Sequence, residues 1–300
     1  MLTVTILGNN SAIPAFNRHP TAQVVQTTES SFLIDCGEGT QMQMDSYKIR
    51  RSKINHIFIS HLHGDHYFGL IGLLTSMALL GRKNELHLYA PEPLKIIIDL
   101  QLKLAGSHLS YDLIFHPLQN ECVIKDGNKV IVECFKVQHR IECWGFLFTE
   151  KKNLRKIEPD KVKKYNIPSS FYENLHRGED YITEKNQVIK NDLLTSAVPP
   201  PKTYAYCADS IYDEQLINKV KGVSMLYHEA TYLHSLQEKA SGRFHSTSID
   251  AATIAKKAGA KRLLIGHFSS MYENLDAFKT EACSVFENTD LAVEGCSYII

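Results

Sequence analysis

Short apolar runs alternate with longer amphipathic segments along most of the chain. The runs typical of strands are TVTILG (3–8), SSFLIDCG (30–37), KINHIFISH (53–61), ELHLYAP (85–91), NKVIVECFKVQH (128–139), KTYAYCAD (202–209), GVSMLYHEA (222–230) and AKRLLIGH (260–267). Residues 67–81 and 92–106 have helical length, and each segment ends in a glycine, the residue that most often closes a helix. Strands interleaved with helices predict an α/β fold with buried sheets.

Residues 149–200 depart from this alternation. Their first part is polar and basic, and it contains Lys151, Lys152, Arg155, Lys156, Lys161, Lys163 and Lys164 against Glu150, Glu158 and Asp160. The segment ends in the stiff run AVPPPK. We interpret residues 149–200 as a substrate-binding arm inserted into a single domain that spans residues 1–300. On charge alone, a solvated surface helix with a loop is an equally good interpretation.

Composition limits the class of protein. A chain of 300 residues buries a sizeable core without disulfides. Its 33 basic and 33 acidic residues exclude a uniformly basic nucleic-acid coat but allow a local basic patch. The absence of an 18-residue apolar run and of a basic signal-peptide start predicts no membrane span and no secretion. Seven cysteines without a C-x-x-C pair predict reduced thiols and a cytoplasmic location.

Metal-ligating residue types gather where predicted strands end. Four predicted strands run into His61, His139, Asp209 and His267. Because ligand sites of α/β sheets form outside the carboxyl ends of the strands, these side chains can converge on one place. The hexapeptide HLHGDH, which starts at His61, adds His63, Asp65 and His66.

The spacing within HLHGDH suits metal binding. His61 and His63 are two residues apart, so an extended chain points both to one side. Gly64 would permit a sharp turn that brings Asp65 and His66 to the same site. Nitrogen ligands with a carboxylate suit zinc with an open position, although manganese or iron would also fit. Five histidines and two aspartates exceed the needs of one tetrahedral ion, and would suit two metals about 3.5–4 Å apart.

These motifs resemble known families. The H-x-H-x-D-H motif followed by a later His, Asp and His resembles the metallo-β-lactamase superfamily, which implies an αβ/βα sandwich. A closer resemblance is to the ribonuclease Z family of tRNA 3′-processing endoribonucleases. It is carried by FLIDCGEGTQMQM (32–44), YHEATY (227–232), FHSTSIDAATIAKKAGAKRLLIGHFSSMY (244–272) and the arm sequence KYNIPSSFYENLHRGEDY (164–181). The arm differs from the family at Ser169 and Ser170, where a Gly-Pro or Pro-Gly pair is usual.

The resemblance implies roles for the site residues. One Zn²⁺ would be held by His61, His63 and His139. The second would be held by Asp65, His66 and His267, and Asp209 would bridge the two.

Three residues are predicted to move or orient protons. Asp65 would accept the proton of the nucleophile. We hypothesise that His245 donates a proton to the leaving 3′-oxygen and that Glu229 orients its imidazole.

The predicted function is therefore metal-dependent removal of 3′ trailers from tRNA precursors by hydroxide attack, leaving a tRNA 3′-hydroxyl. The resemblance also implies a homodimer whose arm grips the tRNA. Two alternatives remain open from the sequence. One is a small-molecule phosphodiesterase or another hydrolase of the superfamily, and the other is a non-catalytic RNA-binding subunit.

Overall fold

The computed structural model describes residues 2–151, 154–197 and 200–300. The chain forms two compact units, Met1–Thr149 with Lys202–Ile300 (the main unit) and Glu150–Pro201 (the inserted unit). Lys152 of the predicted basic arm, and Val198 and Pro199 of the proline-rich connector, lie outside the described residues. Within the described ranges, none of the helices combines the length and apolar character needed to cross a membrane.

The elements run in three stretches along the chain. Up to residue 150 they are β1 (Thr3–Gly8), β2 (Asn10–Ser11), β3 (Ala22–Gln26), β4 (Ser31–Ile34), α1 (Thr40–Ser46), β5 (Ile54–Phe58), α2 (Gly64–Tyr67), α3 (Leu70–Leu79), β6 (Leu86–Ala90), α4 (Pro93–Leu104), β7 (Leu113–Pro117), β8 (Cys122–Asp126), β9 (Val130–Val137) and β10 (Cys143–Glu150). The inserted unit holds β11 (Lys156–Ile157), α5 (Pro159–Lys164), α6 (Tyr172–Arg177), β12 (Tyr181–Ile182), β13 (Val188–Ile189), α7 (Asn191–Leu194) and β14 (Thr195–Ser196). The last stretch holds β15 (Thr203–Cys207), α8 (Gln215–Lys219), β16 (Met225–Glu229), α9 (Gln237–Gly242), α10 (Ser248–Ala258), β17 (Leu263–Gly266), β18 (Phe268–Ser269), α11 (Asp276–Val285), β19 (Thr289–Leu291) and β20 (Ser297–Ile299).

Two seven-stranded sheets form the centre of the main unit in the described part of the chain. Their strand orders are β20-β1-β3-β4-β5-β6-β7 and β19-β17-β16-β15-β10-β9-β8. Aromatic rings fill the space between them: the Phe58 ring lies 5.3 Å from Phe146 and 5.6 Å from Phe148, centroid to centroid. Helices α1, α3 and α4 contribute to a second apolar core with the first sheet, and α10 and α11 belong to the core of the second sheet. This arrangement confirms the predicted αβ/βα sandwich.

Strands run in parallel where the candidate site forms. Strands β4, β5, β6 and β7 are parallel neighbours in the first sheet. Strands β15, β16, β17 and β19 are parallel neighbours in the second. Parallel strands place their carboxyl ends at one edge, and every predicted strand of the sequence analysis forms with its end near the expected residue.

The helix predicted over residues 67–81 forms as α3 but starts at Leu70. The chain leaves helical structure between α2 and α3, where the Gly69 N–H donates to the carbonyl of Cys36 at 2.9 Å. A Cβ on Gly69 would lie 2.2 Å from the carbonyl oxygen of Gly37. At this break, a carbonyl of the loop that follows β4 accepts the hydrogen bond that a helix carbonyl would otherwise accept. The local pattern of apolar residues does not reveal this long-range contact.

The inserted unit has a small core of its own. Its apolar side chains are Val162, Ile167, Leu175, Ile189 and Leu194. Two short antiparallel pairs, β11 with β14 and β12 with β13, surround this core. After Pro168 the residues Ser169–Phe171 form a 3₁₀ turn that leads into α6. The use of this unit as an arm stays a prediction.

Candidate metal centre

The HLHGDH hexapeptide lies directly after β5, at the carboxyl end of the first sheet. His61 is fully buried, and His63 precedes α2, which contains Asp65 and His66. The chain turns at Gly64, the first residue of α2, but the φ of Gly64 is not positive, so the turn does not use a conformation that favours glycine. A single helical turn, rather than a glycine-specific conformation, brings Asp65 and His66 round to the side of His61.

Strand ends of the second sheet supply all the remaining predicted site residues except His245, which lies between α9 and α10. Asp209 follows β15, Glu229 ends β16, His267 follows β17 and His139 follows β9. His139, Asp209 and His267 meet the HLHGDH segment, and Asp209 also lines a cavity of about 330 Å³ beside it. The polar residues lining it include His63, Asp65, Asp209, His245 and Arg140.

Six of the seven predicted ligands form two groups. In the first group, His63 Nδ1 lies 3.0 Å from His61 Nε2 and 3.1 Å from His139 Nε2. Three ring nitrogens this close to one another could bind a single cation.

In the second group, His267 Nε2 lies 3.3 Å from His66 Nε2 and 3.3 Å from Asp65 Oδ2. Both groups have the composition expected for a cation site, and the potential donor atoms of each lie within 4.8 Å of one another.

Asp209 lies between the two groups. Its Oδ2 is 3.7 Å from His61 Nε2, and its Oδ1 is 3.3 Å from His66 Nε2 and 3.2 Å from His267 Nε2. Despite these short distances, the buried Oδ1 has no well-directed hydrogen bond within the described residues. A buried carboxylate oxygen without such a bond is costly, and a cation between the groups would satisfy it.

Burial keeps the histidines of the first group neutral. Removal from water lowers the pKa of His61 well below its ordinary value and that of His139 below it, and lowers the pKa of His63 to about 4. A neutral imidazole is the form that binds a metal.

The second group is rich in negative charge. Burial opposes a charge on His66, yet the carboxylates of Asp209, Asp65 and Asp35 raise its pKa well above the ordinary value. Buried carboxylates of this number require a compensating positive charge. The donor set therefore fits a divalent metal centre.

Asp35 is a site residue that the sequence analysis missed. It follows β4 with a left-handed φ of 55° and is fully buried. Its carboxylate accepts hydrogen bonds from the Ser60 N–H (2.7 Å), the Ser60 hydroxyl (2.9 Å), His66 Nδ1 (2.8 Å) and the Tyr206 hydroxyl (2.6 Å). The bond to Nδ1 turns the Nε2 of His66 toward the second group, as outer partners of metal ligands do.

His245, at the cavity wall, pairs with the fully buried Glu229. The His245 Nδ1 is 2.8 Å from Glu229 Oε1, which also accepts the Ser210 N–H at 3.0 Å. The other oxygen, Oε2, accepts the N–H and the hydroxyl of Thr231. Burial opposes a charge on the ring, but the charge of Glu229 raises the pKa of His245 to about 9. Because Nδ1 is held by Glu229, Nε2 is the nitrogen left for a ligand.

Comparisons with solved structures define the class. The chain matches the metallo-β-lactamase fold protein YhfI from Bacillus subtilis with a TM-score of 0.70 and 21% identity, over 99% of this chain and 98% of that one. It matches the short form of human tRNase Z with a TM-score of 0.72 and 25% identity, over 99% of both chains. The fold and the site thus define a metallo-β-lactamase fold protein with a divalent metal centre.

Curated relatives narrow the class. Ribonuclease Z of Bacteroides fragilis is 42% identical over 97% of this chain and 96% of the relative. Ribonuclease Z of Cytophaga hutchinsonii is 42% identical over 98% of this chain and 95% of the relative. A family model described as anti-Pycsar protein Apyc1 matches residues 2–154. The chain belongs to the ribonuclease Z family, and its first half also belongs to the family that the Apyc1 model describes.

Proposed function

We propose that the protein is a metal-dependent endoribonuclease that removes 3′ trailers from tRNA precursors. The observation that carries the proposal is the convergence of seven predicted metal ligands beside one cavity, which is also lined by His245, the partner of Glu229. Relatives that share about two fifths of the sequence over almost the full length are named ribonuclease Z.

Two Zn²⁺ ions per subunit are the proposed cofactors, with Mn²⁺ or Fe²⁺ as substitutes. His61, His63 and His139 would hold one ion. Asp65, His66 and His267 would hold the other, and Asp209 would be shared. When bound, such ions lower the pKa of a coordinated water to about 7 and offset negative charge on phosphoryl oxygens.

Asp65 and His245 would each carry out one of the two proton transfers of the reaction. The Asp65 carboxylate, which already accepts the Ala12 N–H at 2.7 Å, would accept a proton from the attacking water. His245 would give the proton on Nε2 to the leaving 3′-oxygen, while Glu229 holds Nδ1. The product is a tRNA with a 3′-hydroxyl, and the trailer leaves with the phosphate at its 5′ end.

The first test is cleavage of a 5′-labelled tRNA precursor that carries a 3′ trailer, with and without a chelator, beside Asp65→Ala. A single chelator-sensitive cut after the discriminator base, lost in the variant, is expected. If no cut occurs although bound metal is confirmed, the proposed tRNA-processing function is refuted. Small phosphodiesters and esters should then be tested as substrates. Metal-free protein that binds tRNA without cutting it would instead indicate an RNA-binding subunit.

The role of His245 is tested by changing the leaving group. His245→Ala should lower kcat on the tRNA precursor by about 10²–10⁴-fold. The same variant should keep most of its turnover of bis-p-nitrophenyl phosphate, because nitrophenolate leaves without a proton. His108→Ala, away from the cavity, is the control. Equal losses on both substrates would assign His245 a role other than proton donor.

The inserted unit is proposed to grip the tRNA. Lys161, Lys163 and Lys164 of α5 are exposed. Phosphate contacts supply much of the affinity for RNA, and double-stranded RNA is recognised mainly by shape. Reversing these three charges to Glu should raise KM for tRNA precursors and leave bis-p-nitrophenyl phosphate turnover unchanged. The matched control reverses three exposed lysines of the main unit, Lys83, Lys221 and Lys256. Equal losses on both substrates would contradict the role.

A homodimer is proposed on the basis of an apolar face of α4. Ile96, Leu100 and Leu104 recur every four residues and are 69%, 52% and 78% exposed. Leu79 and Leu80, at the end of α3, are also exposed. Apolar side chains grouped in this way mark association surfaces. Leu100→Glu with Leu104→Glu should convert a dimer into a monomer in sedimentation, and an unchanged mass would place the interface elsewhere.

The proposed location is the cytoplasm. All seven cysteines are free, as expected where thiols stay reduced.

A further inference from the structure

An aromatic ring stands exposed at the wall of the metal-centre cavity. Phe68 is 65% exposed and lines the cavity together with His63, Gly64 and Asp65. It immediately follows α2, the helix that contains two of the proposed metal ligands. An exposed phenyl ring so close to polar, metal-ligating groups has no part in the chemistry proposed above.

The Phe68 ring is held in place by its neighbours. It packs on Gly64, where an added Cβ would lie 2.2–2.6 Å from three ring carbons, so any larger residue at position 64 would displace the ring. The Tyr67 ring meets it edge to face, with centroids 5.0 Å apart. The Phe68 N–H donates to the Gly64 carbonyl at 2.9 Å. A ring fixed on one side and open on the other loses little freedom when a flat ligand covers it.

The composition of the same cavity favours a nucleotide over an apolar ligand. Arg140 contributes a cationic side chain that can pair with a phosphate, and Glu38 contributes a carboxylate. Asp65 and Asp209 also line the cavity, but divalent ions bound at the proposed metal centre would offset their negative charge. A nucleotide presents a flat base and a charged phosphate together, and aromatic side chains commonly stack on unpaired bases beside the backbone.

We propose that Phe68 is a stacking platform for the base of a nucleotide next to the cleaved phosphodiester. This inference rests on the proposed function, because it requires an RNA substrate. The stacked base would fix the position of the backbone relative to the metal centre. Phe68 is therefore a substrate-positioning residue, and stacking on it is tolerant of base identity because every base has a flat face.

The experiment compares Phe68→Ala and Phe68→Leu with the unaltered protein on three tRNA precursors. One precursor is complete, and the other two lack the base on the 5′ or the 3′ side of the cut. On the complete precursor both variants should raise KM by roughly 5- to 150-fold, the range expected for one stacked base. Phe68→Trp should restore the original KM. Ile299→Ala, at a similarly exposed position in β20, is the control.

The precursors without a base isolate the stacking contact. On one of them the unaltered protein should bind as weakly as Phe68→Ala, so that the two differ less than twofold. Because Phe68 also borders the crevice between α3 and α4, the mass and metal content of each variant are measured and should not change.

Two results would overturn the inference in distinguishable ways. If the unaltered protein cleaves the complete precursor and Phe68→Ala has the same KM, or has a raised KM that persists undiminished on both base-free precursors, stacking is refuted and the proposed function stands. If the metal-loaded unaltered protein cleaves no precursor, the proposed function fails and the stacking inference fails with it.

Discussion

Replacing Asp35 tests whether a residue outside the proposed ligand set holds the metal centre together. Its carboxylate accepts four hydrogen bonds, from the N–H and hydroxyl of Ser60, from His66 and from Tyr206. In Asp35→Ala, the Ser60 hydroxyl can turn to His61 Nδ1, 3.0 Å away, and its oxygen can then accept a weaker hydrogen bond from His66 Nδ1, 3.4 Å away. The Ser60 N–H and the buried Tyr206 hydroxyl would lose their partner.

The magnitude follows from these two abandoned donors. Each buried donor without an acceptor costs about 1–3 kcal/mol, so Asp35→Ala should lower the free energy of unfolding by about 2–6 kcal/mol. That is a large part of the roughly 5–15 kcal/mol that stabilises a typical domain. Loss of the bond that orients His66 should also weaken metal binding by about 10–100-fold.

The assay separates stability from metal affinity. Urea unfolding of metal-stripped protein measures the first, and competition with a chromophoric chelator for Zn²⁺ measures the second. Asp35→Asn, which keeps the shape and one acceptor oxygen, should lose less stability than Asp35→Ala. The control is Asp45→Ala, because Asp45 forms an exposed ion pair with Arg51 worth about 0–1 kcal/mol. Unfolding midpoints and metal affinities equal to those of the unaltered protein would refute the argument.

Three further results are expected. Burial, and next the charge of Lys125, lower the pKa of His56 to about 3. Since an unfolded histidine titrates near 6.5, stability should fall as pH drops from about 6.5 towards 3, and His56→Phe should reduce that fall in urea unfolding at pH 7 and 4.5. Removing divalent metal should lower the unfolding free energy by about 2.7 kcal/mol relative to metal at 100 times its Kd, and an unchanged thermal midpoint would contradict the metal centre. Arg140→Ala should raise KM for tRNA precursors by about tenfold or more, whereas Arg140→Lys should raise it less, as steady-state kinetics would show.

The proposed metal ligands are easier to predict from the sequence than the residues that hold those ligands in position. The proposed ligands are dense in HLHGDH or stand at the ends of apolar runs, and both signals are local. Asp35 obeys the second rule, because it directly follows the apolar run FLI within the predicted strand SSFLIDCG. Applying that rule to every strand identifies it. The role of Asp35 as a hydrogen-bond acceptor within the site cannot be predicted locally, since Tyr206, one of its partners, is 171 positions away.

Strand β3 shows why part of the fold escaped prediction. Its sequence, AQVVQ, has glutamines at positions 23 and 26, yet Gln23 is completely buried. The hydroxyl of Tyr204, in the other sheet, donates to the Gln23 side-chain carbonyl. A distant partner thus satisfies the buried side-chain carbonyl of Gln23, and no local pattern carries that information.

The same dependence on distant partners explains how the metal centre is built. His61 and His63 come from the first sheet, whereas His139 of the same group follows a strand of the second. The other group likewise joins residues of α2 to His267. Each group therefore exists only when the two sheets have packed. A metal bound at either group would link the sheets, so metal binding should raise the free energy of unfolding.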